Sequence, residues 1–231
     1  ACAIALAGIL YALYVFRIRQ LKKVMALRTK ISQDLHDEVG STLSGIALYS
    51  SLARKQLDDS DKDKAEKSLS VIEQTATGMV DKLNDIVWAV NPQNDNLFIL
   101  LKRLEDYAYE MATARNIEVL TQIDEQAKNI SLPMDFRRNI YLVCKESINN
   151  AVKYAACSTL SLKAEQSDHS ISFEIADNGK GFEPSTVKKG NGLNNIKNRA
   201  QEIHAQLEIH SQTNKGTRIR LICKIPRQGI G

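Results

Sequence analysis

Residues 69–90 carry an apolar side chain at alternating steps of three and four: Leu69, Ile72, Ala76, Met79, Leu83, Ile86 and Val90. This 3.5-residue repeat constrains the fold more than any other stretch of the chain. A half-buried strand would alternate with a period of two, whereas a narrow stripe at this spacing belongs to a helix packed along its length on another helix. The stretch before it, residues 58–64, is short and polar, with four aspartates and two lysines. Before that, residues 17–57 have a helical pattern that neither Pro nor a run of turn residues interrupts. At 1.5 Å per residue this helix would be about 60 Å long, and a lone helix in water is marginal without tertiary packing. Two helices joined by a short loop make an antiparallel hairpin. One hairpin cannot bury its own seams, and no spare amphipathic helix lies nearby. The expectation is therefore a homodimer that closes a four-helix bundle.

Asn91-Pro92 ends the second helix, because the residue before a proline is pushed out of the helical region. A polar connection, residues 93–96, follows, and a domain boundary is expected there. Residues 97–115 read as a third helix and 117–123 as a strand. Pro133 opens a fourth helix that runs to about residue 156. The period then changes to two. Residues 159–165 and 170–176 read as a strand pair around a turn at 166–169. A glycine-rich loop leads to a short helix at 192–203. Strands at 206–211 and 217–225 follow, hinged at Asn214-Lys215-Gly216. Helices with mostly antiparallel strands in this order predict an α+β fold class, with the helical hairpin followed by an α/β sandwich. The expected domains are 1–16, 17–92 and 93–231.

Residues 1–16 carry no charge and are mostly Ala, Leu, Ile, Val and Tyr. They are slightly fewer than the ~20 that span a bilayer. Six basic residues and no acid follow within residues 17–30. This is the pattern of the end of a transmembrane helix with its basic flank on the cytoplasmic side. A signal peptide would carry its charge before the apolar run. Those six positive charges exceed the net charge of the whole chain, +4. The basic excess is local, which argues against direct nucleic-acid binding. The four cysteines lie in or beside apolar runs without metal-ligand spacing, and read as core thiols.

His36 and Asp37 lie beside the apolar stripe Leu35, Val39, Leu43 and Ile46 of the first helix. A neutral imidazole is a competent nucleophile near neutral pH, and the neighbouring carboxylate can orient the ring or take its proton. Alone, such a pair is more often a surface histidine. In the fourth helix Glu146, Asn150 and Lys153 stand at i, i+4 and i+7, on one face. An amide oxygen suits Mg²⁺ and an ammonium suits phosphate. Along residues 171–177 the odd positions are apolar, and Asp177 keeps their inward parity. A buried carboxylate needs a donor, and the exocyclic amine of adenine is one. Gly179 and Gly181 allow close approach of backbone to a ligand. Gly190, Gly192 and Leu193 open the next helix, whose N-terminal N–H groups favour a phosphate. Thr217 offers a hydroxyl between the last two strands.

In this order Glu146-x3-Asn150-x2-Lys153, Asp177-x-Gly179-x-Gly181, Gly190-x-Gly192-Leu193 and Gly216-Thr217 resemble the N box and glycine boxes of the histidine-kinase ATPase fold. Gyrase and MutL ATPases share that fold. His36-Asp37-x2-Gly40 on its hairpin resembles the sensor histidine kinases of the nitrate-sensor and DesK type, which usually pair with LuxR-type response regulators. The segment from Ile86 to Pro92 resembles the hairpin end of propeller-sensing members. The resemblance implies a Bergerat-type ATP-binding domain with ATP and Mg²⁺ as cofactors. It implies Asn150 at the metal, and Asn150, Lys153, Asp177, Gly179, Gly181, Gly190, Gly192, Leu193 and Thr217 at the nucleotide. It makes His36 the phosphoacceptor, Asp37 its general base and Glu146 a polarising group, with the phosphoryl group passing to an aspartate of a response regulator. It also implies a bacterial cytoplasmic membrane location, with this portion facing the cytoplasm. Two positions depart from the pattern: Ser41 stands where many such kinases have Gln, and Tyr154 where His often follows the Lys. The rivals are a gyrase- or MutL-like ATPase and a degenerate nucleotide-binding membrane scaffold.

Overall fold

The computed structural model describes residues 2–59, 61–125, 130–167, 169–183 and 191–225. It divides into two compact units, Ala1–Val87 and Trp88–Gly231.

The first unit is the hairpin. Helix α1 spans Cys2–Asp58 without a break and α2 spans Lys62–Val90. The chain has no proline before Pro92, so nothing in the sequence interrupts either ladder. Residues 2–16 continue directly into the rest of α1. Among the described residues, no helix is long and apolar enough to cross a membrane. Asp61 stands before α2 and accepts from the Lys64 backbone N–H (3.3 Å) and ammonium (2.6 Å). The hydrogen bond to Lys64 holds the Asp61 carboxyl below the usual range. Small residues let the two helices close: Ala53, Ala65 and Ser68 are buried, and Ser68 Oγ donates to Gln56 Oε1 at 2.8 Å. The heptad residues Ile72, Met79, Leu83 and Ile86 are only partly covered. Leu43, Leu48, Leu52, Leu69, Val80 and Val87 are exposed.

The second unit is a two-layer α/β sandwich. Its helices are α3 (Leu97–Thr113), α4 (Met134–Asn150) and α5 (Asn191–Glu202). Its strands are β1 (Glu118–Ile123), β2 (Thr159–Ser167), β3 (Ser170–Asp177), β4 (Gln206–Ser211) and β5 (Thr217–Lys224), in sheet order β1-β2-β3-β5-β4. Strands β1 and β2 run parallel, because α4 carries the chain back between them; the other pairs are antiparallel. The period-two pattern puts Leu160, Leu162, Ile171, Phe173, Ile175, Ile219 and Leu221 on the buried face, against Leu100, Leu104, Ile140, Val143, Ile148 and Ile196 of the helices. On the other face Lys163, Glu174, Arg220 and Glu208 stand in cross-strand register, with charge alternating from strand to strand. Cys144 and Cys223 are buried, and burial pushes both thiols far up, Cys223 to about 12, so they behave as core packing.

The last turn of α2 is part of this second unit. Arg137 of α4 is 1 % exposed, and a guanidinium is almost never so buried unless paired. It pairs with Asp95, and its Nη2 donates to the carbonyls of Ala89 (2.5 Å) and Asn91 (3.2 Å). A buried cation thus satisfies carbonyls that the end of α2 leaves open. Alongside it, the Trp88 and Tyr141 rings lie 5.2 Å apart, and the Arg103 guanidinium sits over both. Replacing Arg137 by Met keeps the stem but strands these carbonyls. Hydrogen bonds to a charged group contribute roughly 1.5–3 kcal/mol each, and Asp95 is half-exposed and can turn to water. The expected loss for Arg137→Met is about 3–6 kcal/mol for the two carbonyl bonds, read as a lower urea midpoint at unchanged slope.

Candidate nucleotide site

The site is assembled where α4 ends. After Asn150 the helix widens into one π turn, Ala151–Ala155, closed by Ala156 in the left-handed region (φ 51°, ψ 42°). Such turns recur at functional sites. The widened turn frees the Ala155 carbonyl, which accepts from the Lys180 backbone N–H at 2.8 Å. It also changes the phase of the helix after Asn150. Lys153 lies inside it and is exposed, while Glu146 and Asn150 are half-buried.

Asp177 closes β3, opposite Leu160 of β2 and Thr217 of β5. Its carboxylate is half-buried, and Oδ1 accepts from the Gly179 N–H at 2.9 Å. Burial pushes its pKa up, and the backbone N–H groups of Gly179 and Thr217 oppose that shift. The carboxylate keeps further acceptor capacity beyond these bonds.

The glycines are explained by close approach. A Cβ on Gly179 would overlap the Ala155 carbonyl, and one on Gly192 would overlap the Glu146 carboxylate and lie 3.6 Å from Asn150 Nδ2. The first turn of α5 therefore lies directly against the Glu146–Asn150 face. Gly181 and Gly216 have positive φ, 55° and 78°, at the two turns that bracket Asp177. The Thr217 hydroxyl shares a hydrogen bond with Ser211 Oγ (2.9 Å). Leu193 is half-buried and packs against the core.

Glu146, Asn150, Asp177, Gly179, Gly181, Gly192, Leu193 and Thr217 thus surround one end of the sandwich. His36 and Asp37 fall within α1, and their side chains lie outside those described; Gly190 also lies outside the described residues. No group of three or more His, Cys, Asp or Glu able to hold a metal occurs among the described residues. A divalent cation here would rest on the hard oxygen of Asn150 and on oxygens of the nucleotide itself, which suits Mg²⁺. The cradle fits a nucleotide: a partly desolvated carboxylate with free acceptor capacity, and glycines whose missing side chains leave the backbone open. A cleft of about 510 Å³ between α5 and β4 shares only Leu193 with this set.

Sequence reasoning gave no role to Asn178. Its amide bonds four groups of Ser158 and Thr159, and only its place between Asp177 and Gly179 hinted at a turn. It also missed Arg137, since a basic residue in the first turns of a helix gives no sign of burial.

Comparisons with known proteins agree on this architecture. A family profile described as histidine kinase matches residues 28–95. A second, described as the histidine kinase-, DNA gyrase B- and HSP90-like ATPase, matches residues 136–228. The sensor histidine kinase DesK of Bacillus subtilis is 30 % identical over 210 residues, which are 89 % of this chain and 52 % of DesK. The signal transduction histidine-protein kinase/phosphatase UhpB of Salmonella typhimurium is 24 % identical over 201 residues, 87 % of this chain and 39 % of UhpB. The chain thus spans about half the length of the curated relatives it matches, or less. Among solved structures, the histidine kinase AdeS of Acinetobacter baumannii aligns with a TM-score of 0.58 at 12 % identity, covering 79 % of this chain and 96 % of that one. The blue-light activated histidine kinase of Erythrobacter litoralis EL346 aligns with a TM-score of 0.54 at 18 % identity, covering 76 % and 64 %. These two likenesses concern the fold. With a histidine-kinase hairpin and the matching ATPase domain in one chain, this protein belongs to the sensor histidine kinases of the nitrate-sensor and DesK type.

Proposed function

We propose that this chain is the kinase portion of a two-component sensor, which transfers the γ-phosphoryl group of ATP to His36 and then to an aspartate on the receiver domain of a response regulator, of the LuxR type. The observation that carries this reading is Asp177: a half-buried carboxylate bonded by the Gly179 N–H, with Gly179 itself against the Ala155 carbonyl at the end of the Asn150 helix. It is the acceptor that an adenine amine requires, and the glycine-opened start of α5 offers N–H groups to the phosphates. Asn150 would hold Mg²⁺ through its amide oxygen, and Lys153, exposed in the π turn, would reach a phosphate from there. The metal when bound neutralises charge on the phosphates. A His36 ring nitrogen attacks the γ-phosphorus, the bond to the bridging oxygen breaks, and ADP leaves. Asp37 takes the imidazole proton, and Glu146 polarises the site. Most of the acceleration comes from positioning and electrostatics.

A gyrase- or MutL-like ATPase would account for the second unit but not for the match of residues 28–95 to a histidine kinase. Incubation with γ-labelled ATP and Mg²⁺ tests the proposal. The label should be labile to acid, resistant to alkali, and map to the peptide holding His36. Absence of stable label on protein would refute it.

The functional unit in this reading is a homodimer. The partly covered heptad seam of α2 and the exposed leucines of α1 need a second hairpin. Residues 17–231 should scatter light as a dimer at micromolar concentration, and a monomer would remove the four-helix bundle. Residues 1–16 are proposed to be the end of a membrane helix that anchors the dimer in the cytoplasmic membrane of a bacterium.

A further inference from the structure

We infer that Asn178 is a positioning residue for nucleotide binding, which sets the Asp177 carboxylate by tying the glycine loop to the start of β2. The inference rests on the nucleotide-binding role proposed above. Asn178 is the first residue past β3. Its Oδ1 accepts from the backbone N–H groups of Ser158 and Thr159, both at 3.0 Å. Its Nδ2 donates to Ser158 Oγ at 2.9 Å and to Thr159 Oγ1 at 3.4 Å. The two backbone donors fix which end of the amide is the oxygen, so the orientation follows from chemistry. Its own N–H donates to the Thr159 carbonyl at 3.3 Å.

An ordinary turn asparagine bonds its own backbone two residues on. This one reaches residues 19 and 20 positions earlier. The segment it grips begins two residues after the left-handed Ala156 that closes the π turn. One residue beyond Gly179, the Lys180 N–H bonds the Ala155 carbonyl of that same turn. The loop is thus pinned on both sides of Gly179, to the start of β2 before it and to the end of the π turn after it. Gly179 in turn supplies the N–H that aligns Asp177 Oδ1 at 2.9 Å. If Asn178 lets go, Gly179 shifts and the carboxylate turns with it. Asn178 is exposed, so its bonds add little to the core and their effect falls on the loop.

A loop staple with no bearing on the ligand would give the same bonds, and a double-mutant cycle separates the two. Calorimetry of Mg-ADP binding to the full chain is the readout. Asn178→Ala should weaken binding about tenfold, the scale of losing one to two such hydrogen bonds. In an Asp177→Asn background the same change should cost less than twofold, because the group it positions is already impaired. At saturating ATP the kcat for labelling should be nearly unchanged while KM rises. Equal losses in both backgrounds, or no loss in the single variant, would overturn the inference and leave the kinase reading standing. Wild-type protein that binds no adenine nucleotide would overturn both. Should Asn178→Ala fail to fold, Asn178→Gln, whose amide sits one methylene too far, is measured in the same cycle with the same expected result.

Discussion

His36→Gln is expected to take no label from ATP while binding ATP as tightly as the wild type does. The glutamine amide is close to the imidazole in size and polarity, but its nitrogen lone pair is delocalised into the carbonyl. It cannot attack phosphorus. The substituted position lies on α1, in the unit Ala1–Val87, whereas the candidate nucleotide residues Glu146, Asn150, Asp177, Gly192 and Thr217 all belong to Trp88–Gly231. Binding and acceptor chemistry should therefore separate cleanly: labelling falls to background, and the calorimetric affinity for Mg-ADP changes by less than about twofold, below the effect of one net hydrogen bond. Unchanged acid-labile labelling would place the phosphoacceptor elsewhere. A parallel loss of affinity would mean that the substitution had damaged the fold rather than the chemistry.

The sequence carried local features well and long-range ones poorly. The heptad stripe of α2 and the switch to period two after residue 158 are nearest-neighbour patterns, and the helices and strands came out within a few residues of them. The inward parity of Asp177 followed from the same alternation. The π turn did not, because Ala151-Val152-Lys153-Tyr154-Ala155 reads as a plain continuation of the helix. Its last carbonyl, that of Ala155, meets the backbone of a loop 25 residues further along the chain, a partner no local pattern reveals. Burial of Arg137 likewise depends on carbonyls 46 and 48 residues away. By sequence Gly192 is an opening for phosphate. The geometry adds a second reason, since any side chain there would strike Glu146.

Asp177→Asn should separate binding from folding in the second unit. In the folded protein the Asp177 carboxyl is driven upward in pKa by burial, so its charged form is held at a cost in the absence of ligand. An acid whose folded pKa is raised contributes stability that is present below its unfolded pKa, near 3.8, and lost as pH rises through the folded value. At neutral pH, removing the charge relieves that cost. The amide oxygen can still accept from Gly179, and the shape is kept. Thermal unfolding of the ligand-free variant at pH 7 should therefore occur at or slightly above the wild-type temperature. Nucleotide binding should move the other way. A carboxylate accepting from an adenine amine makes a charge-assisted hydrogen bond, about 1.5–3 kcal/mol, and the amide keeps only a neutral one. If its NH₂ faces the base, donor meets donor. The expected weakening is roughly 10- to 100-fold in Kd, on the scale of 1.4 kcal/mol per tenfold. Labelling of His36 should fall with occupancy and recover at high ATP, because the residues proposed for phosphoryl transfer are untouched. The decisive measurement is calorimetric titration with Mg-ADP beside a melting curve on the same sample. Unchanged affinity would remove Asp177 from the nucleotide site, and a large drop in melting temperature would assign it to the fold instead.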